Sequence, residues 1–238
     1  MILPAVLGLV GCGGALRTKG NEVRSKNWVA AHCTIALSHS EPLITEWPDS
    51  VKLETLLTES LGKKDSTAIA VAFTGCELRI LDECRPKADY DWHKTSVRRD
   101  TLEIQDANAL YSKIPIGAEG LEGTLKRTGR LTVMTTTTGQ VKMLGSIDLA
   151  AISKNPSCDA ATHIVTSVTM GALKTIAVSH GRTDGLLTTE TLREAGIEAE
   201  CNRAASDMLA PGCQSPLQVY LVPIPRSRPA TTPDGGSL

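Results

Sequence analysis

The sequence predicts an α+β domain: a mostly antiparallel sheet with two to four short helices, braced by disulfides. Three observations carry this. Strand-like and helix-like stretches follow one another without the regular alternation that builds a parallel sheet. Several strand-like stretches are long and alternate polar with apolar residues, as antiparallel strands with one wet face do. Six cysteines, at positions 33, 76, 84, 158, 201 and 213, are scattered along the chain instead of being closely set.

Taken in order, WVAAHCTIALSHSEPLI at 28–44 reads as a strand pair. PDSVKLETLLTESLGKK follows as a helix, with Leu53, Leu56, Leu57 and Leu61 on one face and Asp49 or Ser50 as the cap. Gly62 and the two lysines after it close that helix. TAIAVAFT is a short apolar strand, and GCELRIL and ADYDWHKTSVRRDTLEIQ alternate as strands. Asp106 opens a short helix, DANALYSKI, and IPIGAEGLEGTLKRTG is helix or loop. The Thr-rich run in LTVMTTTTGQVKMLGSIDL is strand, because threonine suits a pleated surface. Thr138-Gly139 reads there as the turn of a hairpin. ATHIVTSVTMGALKTIAVS is a further strand stretch with a break expected at Gly171, TTETLREAGIEAECNRAASDML is helical in two pieces, and LQVYLVPI is a last strand.

Charge and composition narrow the function. Lys plus Arg number 25 against 26 acids, a net charge of −1, which gives no electrostatic footprint for nucleic acid. The basic run KTSVRR at 94–99 reads as one solvated strand face. One Phe, three Trp and three Tyr leave few rings for a sugar-stacking or single-strand platform once the core has taken its share. No nucleophile elbow, zinc-protease helix or phosphate loop motif occurs, so no catalytic residues and no cofactor are predicted. No CxxC pair occurs, and in HCTIALSH a strand turns His32 away from Cys33 and His39; no metal site is predicted. The densest polar patch is ADYDWHK. Alternation puts Tyr90 and Trp92 on one face and Asp89, Asp91 and His93 on the other, a candidate ligand patch, although such a run is more often a wet strand face opposite an apolar one.

The N-terminal segment bears on compartment. MILPAVLGLVG is uncharged and shorter than the ~20 apolar residues of a spanning helix, but has the length of a secretory apolar region. Leu9-Val10-Gly11-Cys12 resembles the lipobox of bacterial lipoproteins. That resemblance implies acylation of Cys12 as the mature N-terminus, and Gly13 after it resembles the pattern of lipoproteins sent to the outer membrane. The expected organisation is a signal at 1–11, a flexible tether at 12–27, one domain or two intimate subdomains at 28–223 and a disordered tail at 224–238.

The cysteine count agrees. Of seven cysteines, lipidation of Cys12 leaves six, enough for three disulfides of the kind that persist outside the cytosol. Proximity in the chain suggests Cys76–Cys84 and Cys201–Cys213, leaving Cys33–Cys158 to join distant segments.

EPLITEWP, GCELRILDEC, DANALYSKIP and CDAATHIV, spread over residues 40 to 175, resemble a group of bacterial envelope lipoproteins with no assigned activity. The resemblance marks His163 as a position of interest without giving it a role. The leading expectation is a lipid-anchored binding or structural module on the periplasmic side of the outer membrane, with the membrane and another envelope protein as partners. A membrane-acting or assembly protein using the amphipathic stretches at 130–149 and 162–178 is the first alternative. A hydrolase with an Asp/His/Ser site is the second.

Overall fold

The long alternating stretches of the sequence become long strands. The computed structural model describes residues 41–44, 47–179 and 213–225, with Cys33 and Cys201. Along them run α1 (Ser50–Ser60), β1 (Ile69–Phe73), β2 (Leu78–Ile80), β3 (Asp89–Ile104), α2 (Ala107–Lys113), α3 (Ala118–Thr128), β4 (Gly129–Leu144), α4 (Leu149–Ser153), a 3-10 turn (Pro156–Cys158), β5 (His163–Ser179) and β6 (Ser215–Pro223). The strands form one sheet in the order β2-β1-β5-β4-β3, with β6 also on β5, and every pairing between them is antiparallel. The α+β, disulfide-braced class expected from the sequence is the class observed.

β5 is the hub of the sheet. Its residues 163–165 pair with β1 and its residues 167–179 with β4, both along one edge. Residues 163–171 pair with β6 along the other. Where β5 changes partner from β1 to β4, Tyr90 of β3 fills the junction. Its phenol accepts the Ile69 N–H (3.1 Å) and donates to the Val165 carbonyl (2.6 Å), so two facing ladder residues are joined through a side chain.

A row of register shifts crosses the sheet. On β3 it lies between Lys94 and Arg98, on β4 between Thr137 and Gly139, and between β5 and β6 at Thr169/Met170. These shifts lie side by side, because Gly139 pairs with both Lys94 and Met170, and Thr137 with both Arg98 and Gly171. Bulges bend a strand and increase its twist, so a row of them curves the sheet. Backbones approach closely here, and only glycine fits. A Cβ on Gly171 would run into the Thr136 carbonyl and lie 2.8 Å from Leu217 Cδ1, and one on Gly139 would run into the Trp92 ring.

The cores follow from this bend. α1 presents Leu53 and Leu57 to a cluster that includes Ile69, Val71, Phe73, Tyr90, Val141, Val168 and Leu221. The opposite face of β1, through Ala70 and with Ala68 just ahead of the strand, packs with Ile152, Cys158, Ile164 and Ile224. Beyond the bulge row, α2 and α3 cover Ile104, Leu131 and Val133 with Leu110, Tyr111, Ile114 and Leu125.

Several local expectations are corrected. Thr138-Gly139 is a bulge inside one continuous strand, not a hairpin turn, since β4 keeps both neighbours on either side of it. β5 does not break at Gly171. Asp49 occupies the N-cap position of α1 but does not cap it; its Oδ2 accepts the Ile80 N–H (2.9 Å), tying α1 to β2. Asp106 does cap α2, accepting the Ala109 N–H (2.9 Å). The ambiguous segment at 114–129 contains helix α3, which ends on Gly129 with φ +79°.

The disulfides are Cys33–Cys76, Cys84–Cys158 and Cys201–Cys213. Cys201–Cys213 was expected; Cys76–Cys84 and Cys33–Cys158 are corrected. β2 lies between Cys76 and Cys84, and an extended strand carries its two ends apart. Cys84 instead meets Cys158 in the cluster opposite α1. Cys12, the tether, residues 226–238 of the expected tail, most of the 28–44 strand pair and most of the helical stretch at 188–209 lie outside the described residues; Ile224, expected to open the tail, is instead buried and donates its N–H to the Thr162 carbonyl (2.9 Å).

Candidate functional site

The patch at 89–93 does not act as one unit. Asp89 is half-buried and accepts hydrogen bonds from the Ser66 N–H (3.2 Å) and hydroxyl (3.3 Å), anchoring the start of β3. Tyr90 is 1% exposed, and burial pushes its phenol up to about 12. Trp92 packs against the α1 cluster, over Gly139. That leaves Asp91 and His93 exposed, with Asp91 accepting the N–H of Trp92 (2.8 Å). The two faces are those the alternation predicts, but three of the five side chains hold the fold. Among the described residues no group of three or more His, Cys, Asp or Glu is placed to hold a metal ion.

His163 opens β5. Its Nδ1 lies 2.8 Å from the Thr162 hydroxyl, and its ring meets Phe73 edge-on with centroids 5.5 Å apart. The Thr162 hydroxyl accepts the Phe73 N–H (2.8 Å), which leaves its proton for Nδ1 or for the Val71 carbonyl. Burial lowers the pKa of His163, because a charged ring there would lose water without gaining a counter-charge. The residue joins β1 to β5.

The strongest candidate site is a trough along the bulge row, a cavity of about 490 Å³. That volume is within the range of small-molecule sites. Its floor comes from β4, β5 and β6. On β4 the lining residues are Val133, Thr135 and Thr137, then Gln140, because the extra residue Thr138 shifts the alternation by one. A polar chain crosses the floor: Gln140 Nε2 donates to Thr169 Oγ1 (3.2 Å) and to Tyr220 OH (3.4 Å), and Tyr220 donates to Gln218 Oε1 (3.3 Å). Gln218 in turn donates to the Glu41 carbonyl (3.0 Å). The far end is apolar, with Leu102, Ile114, Val133 and Leu173. The two charged lining residues, Arg98 and Asp100, are largely exposed and pair with each other at 2.7 Å.

The sequence reading missed this site, since its polar residues come from three strands distant in the chain. One local signal was present. On the face that begins Leu131-Val133, the same alternation continues Thr135-Thr137, a change from apolar to hydroxyl within a single strand.

Among the described residues, no helix is long and apolar enough to cross a membrane. Comparison of the chain with protein-family models, with curated proteins and with solved structures finds no match.

Proposed function

We propose that this protein is a lipid-anchored binding module of the bacterial cell envelope, tethered through Cys12 at the periplasmic side of the outer membrane and holding its ligand in the trough. The observation that carries the reading is the cysteine pairing. Three disulfides use all six cysteines other than Cys12, which leaves Cys12 with no partner inside the chain. Three disulfides fit an oxidising compartment, and a lone cysteine behind Leu9-Val10-Gly11 fits acylation. The preformed trough supports binding as the activity of the domain.

The test is the intact mass of the protein extracted from the membranes of a diderm host, before and after reduction and alkylation. The expected mass is that of residues 12–238 plus acyl chains, with no alkylatable thiol before reduction and six after it. Cys12→Ser is expected to move the protein from the membrane to the soluble fraction. An unprocessed chain, or thiols that react without reduction, would overturn the reading.

A further inference from the structure

The chemistry of the trough narrows what it can hold. We infer that it binds a neutral amphiphile, an aliphatic body carrying a hydroxyl or ester head; this rests on the binding reading above and names its ligand class.

The argument begins with charge. Arg98 and Asp100 satisfy each other at the rim, so the interior offers no free ion to an ionised ligand. A charged group drawn in from water would be desolvated without compensation, which is strongly unfavourable. The polar floor is built for neutral partners. Gln140 spends its amide N–H groups on Thr169 and Tyr220, while the Thr169 hydroxyl accepts one of them and keeps its own proton to give. Thr95 Oγ1, also in the lining, is buried with no hydrogen-bond partner among the described residues. A buried hydroxyl left in that state costs stability, and a ligand hydroxyl or carbonyl reaching it would recover the cost.

Shape supplies the second half. Along β4 the lining passes from Gln140, hydrogen-bonded to Thr169 and Tyr220, through Thr137 and Thr135 to Val133, which lies in one apolar cluster with Leu102, Ile114 and Leu173. From Gln140 to Val133 along β4 is roughly 20 Å at the rise of an extended strand, the length of a medium acyl chain with its head. Tyr220 is the one aromatic ring in the lining, so a stacked sugar finds no platform.

The experiment uses the full chain carrying Cys12→Ser, titrated calorimetrically with three ligands that share one chain length: 1-decanoylglycerol, decanoate and decyltrimethylammonium. 1-Decanoylglycerol is expected to bind at least about tenfold more tightly than either ion. Gln140→Leu, which leaves the apolar end intact, is expected to remove that preference, and Leu173→Trp to abolish binding by filling the far end. Thermal unfolding of both variants reports whether they fold. Native mass spectrometry of the wild-type protein, extracted from its membrane, separates the two failures. An adduct that proves anionic or cationic, or equal binding of all three ligands, overturns the ligand class and leaves the binding module standing. No adduct and no binding of any of the three overturns both.

Discussion

Tyr90→Phe removes one oxygen atom and tests how the sheet is closed at its hub. The phenol stands between the Ile69 N–H and the Val165 carbonyl. Phenylalanine fills the same space, so no cavity forms, but one donor and one acceptor are left unpaired in the core. Each buried unpaired group costs about 1–3 kcal/mol, so the variant is expected to lose about 3 kcal/mol. The pH dependence gives an independent measure. Tyr90 has its pKa raised from 10.0 to about 12 by burial. The folded state therefore keeps a proton that the unfolded chain gives up, and the contribution of Tyr90 is fully present below pH 10 and lost as pH rises through about 12. Two units correspond to about 3 kcal/mol in total. Urea unfolding at pH 8, 10 and 11, wild type against variant with disulfides intact, reads both quantities. The wild type should be the more stable at pH 8, and the gap should narrow at the higher values. A variant within about 0.5 kcal/mol of wild type at pH 8, or a gap unchanged with pH, would refute the account.

Three further perturbations test other parts of the structure. Replacing Cys84 and Cys158 together by Ala frees a 74-residue separation and is expected to cost about 2–4 kcal/mol, lowering the melting temperature by roughly 10 °C in a scanning calorimeter. Gly139→Ala places a methyl group in the Trp92 ring and is expected to cost about 1–3 kcal/mol, part of it recovered when Trp92→Ala is added; strictly additive costs in chemical denaturation would show that the ring is not the obstacle. His163, with its pKa lowered by burial, contributes stability that is full above pH 6.5 and lost as pH falls through its folded value. His163→Gln should therefore flatten the acid side of the stability profile between pH 7 and 5, and an unchanged slope would contradict the burial.

What the sequence made legible was local. The leucine spacing of α1, the Asp106 cap and the alternation of β3 each follow from a few adjacent residues, and each is present in the structure. The disulfide pairing was not legible, because whether Cys84 meets Cys76 or Cys158 depends on where the chain returns after β4. Thr138-Gly139 misled for a related reason. A glycine beside a polar residue serves a turn or a bulge equally well, and only the neighbouring strands decide between them. Tyr90 and Asp89 look like site residues for their polarity, yet their polar atoms are used against Val165, Ile69 and Ser66. The trough needed the sheet itself, since Gln140, Thr169 and Tyr220 become neighbours only through β4, β5 and β6.

The position of β5 at the centre of the sheet sets a timetable for the chain. β1 is synthesised early, but the Phe73 N–H waits for Thr162, 89 positions later, and the edge of β4 turned away from β3 waits for the same late strand. Until that strand is delivered, the β1–β2 pair and the β3–β4 pair have no strand between them, and such distant pairings form slowly. The Cys84–Cys158 disulfide keeps the same timetable, since it ties the chain ahead of β3 to the turn just before β5 and so closes only as that strand arrives.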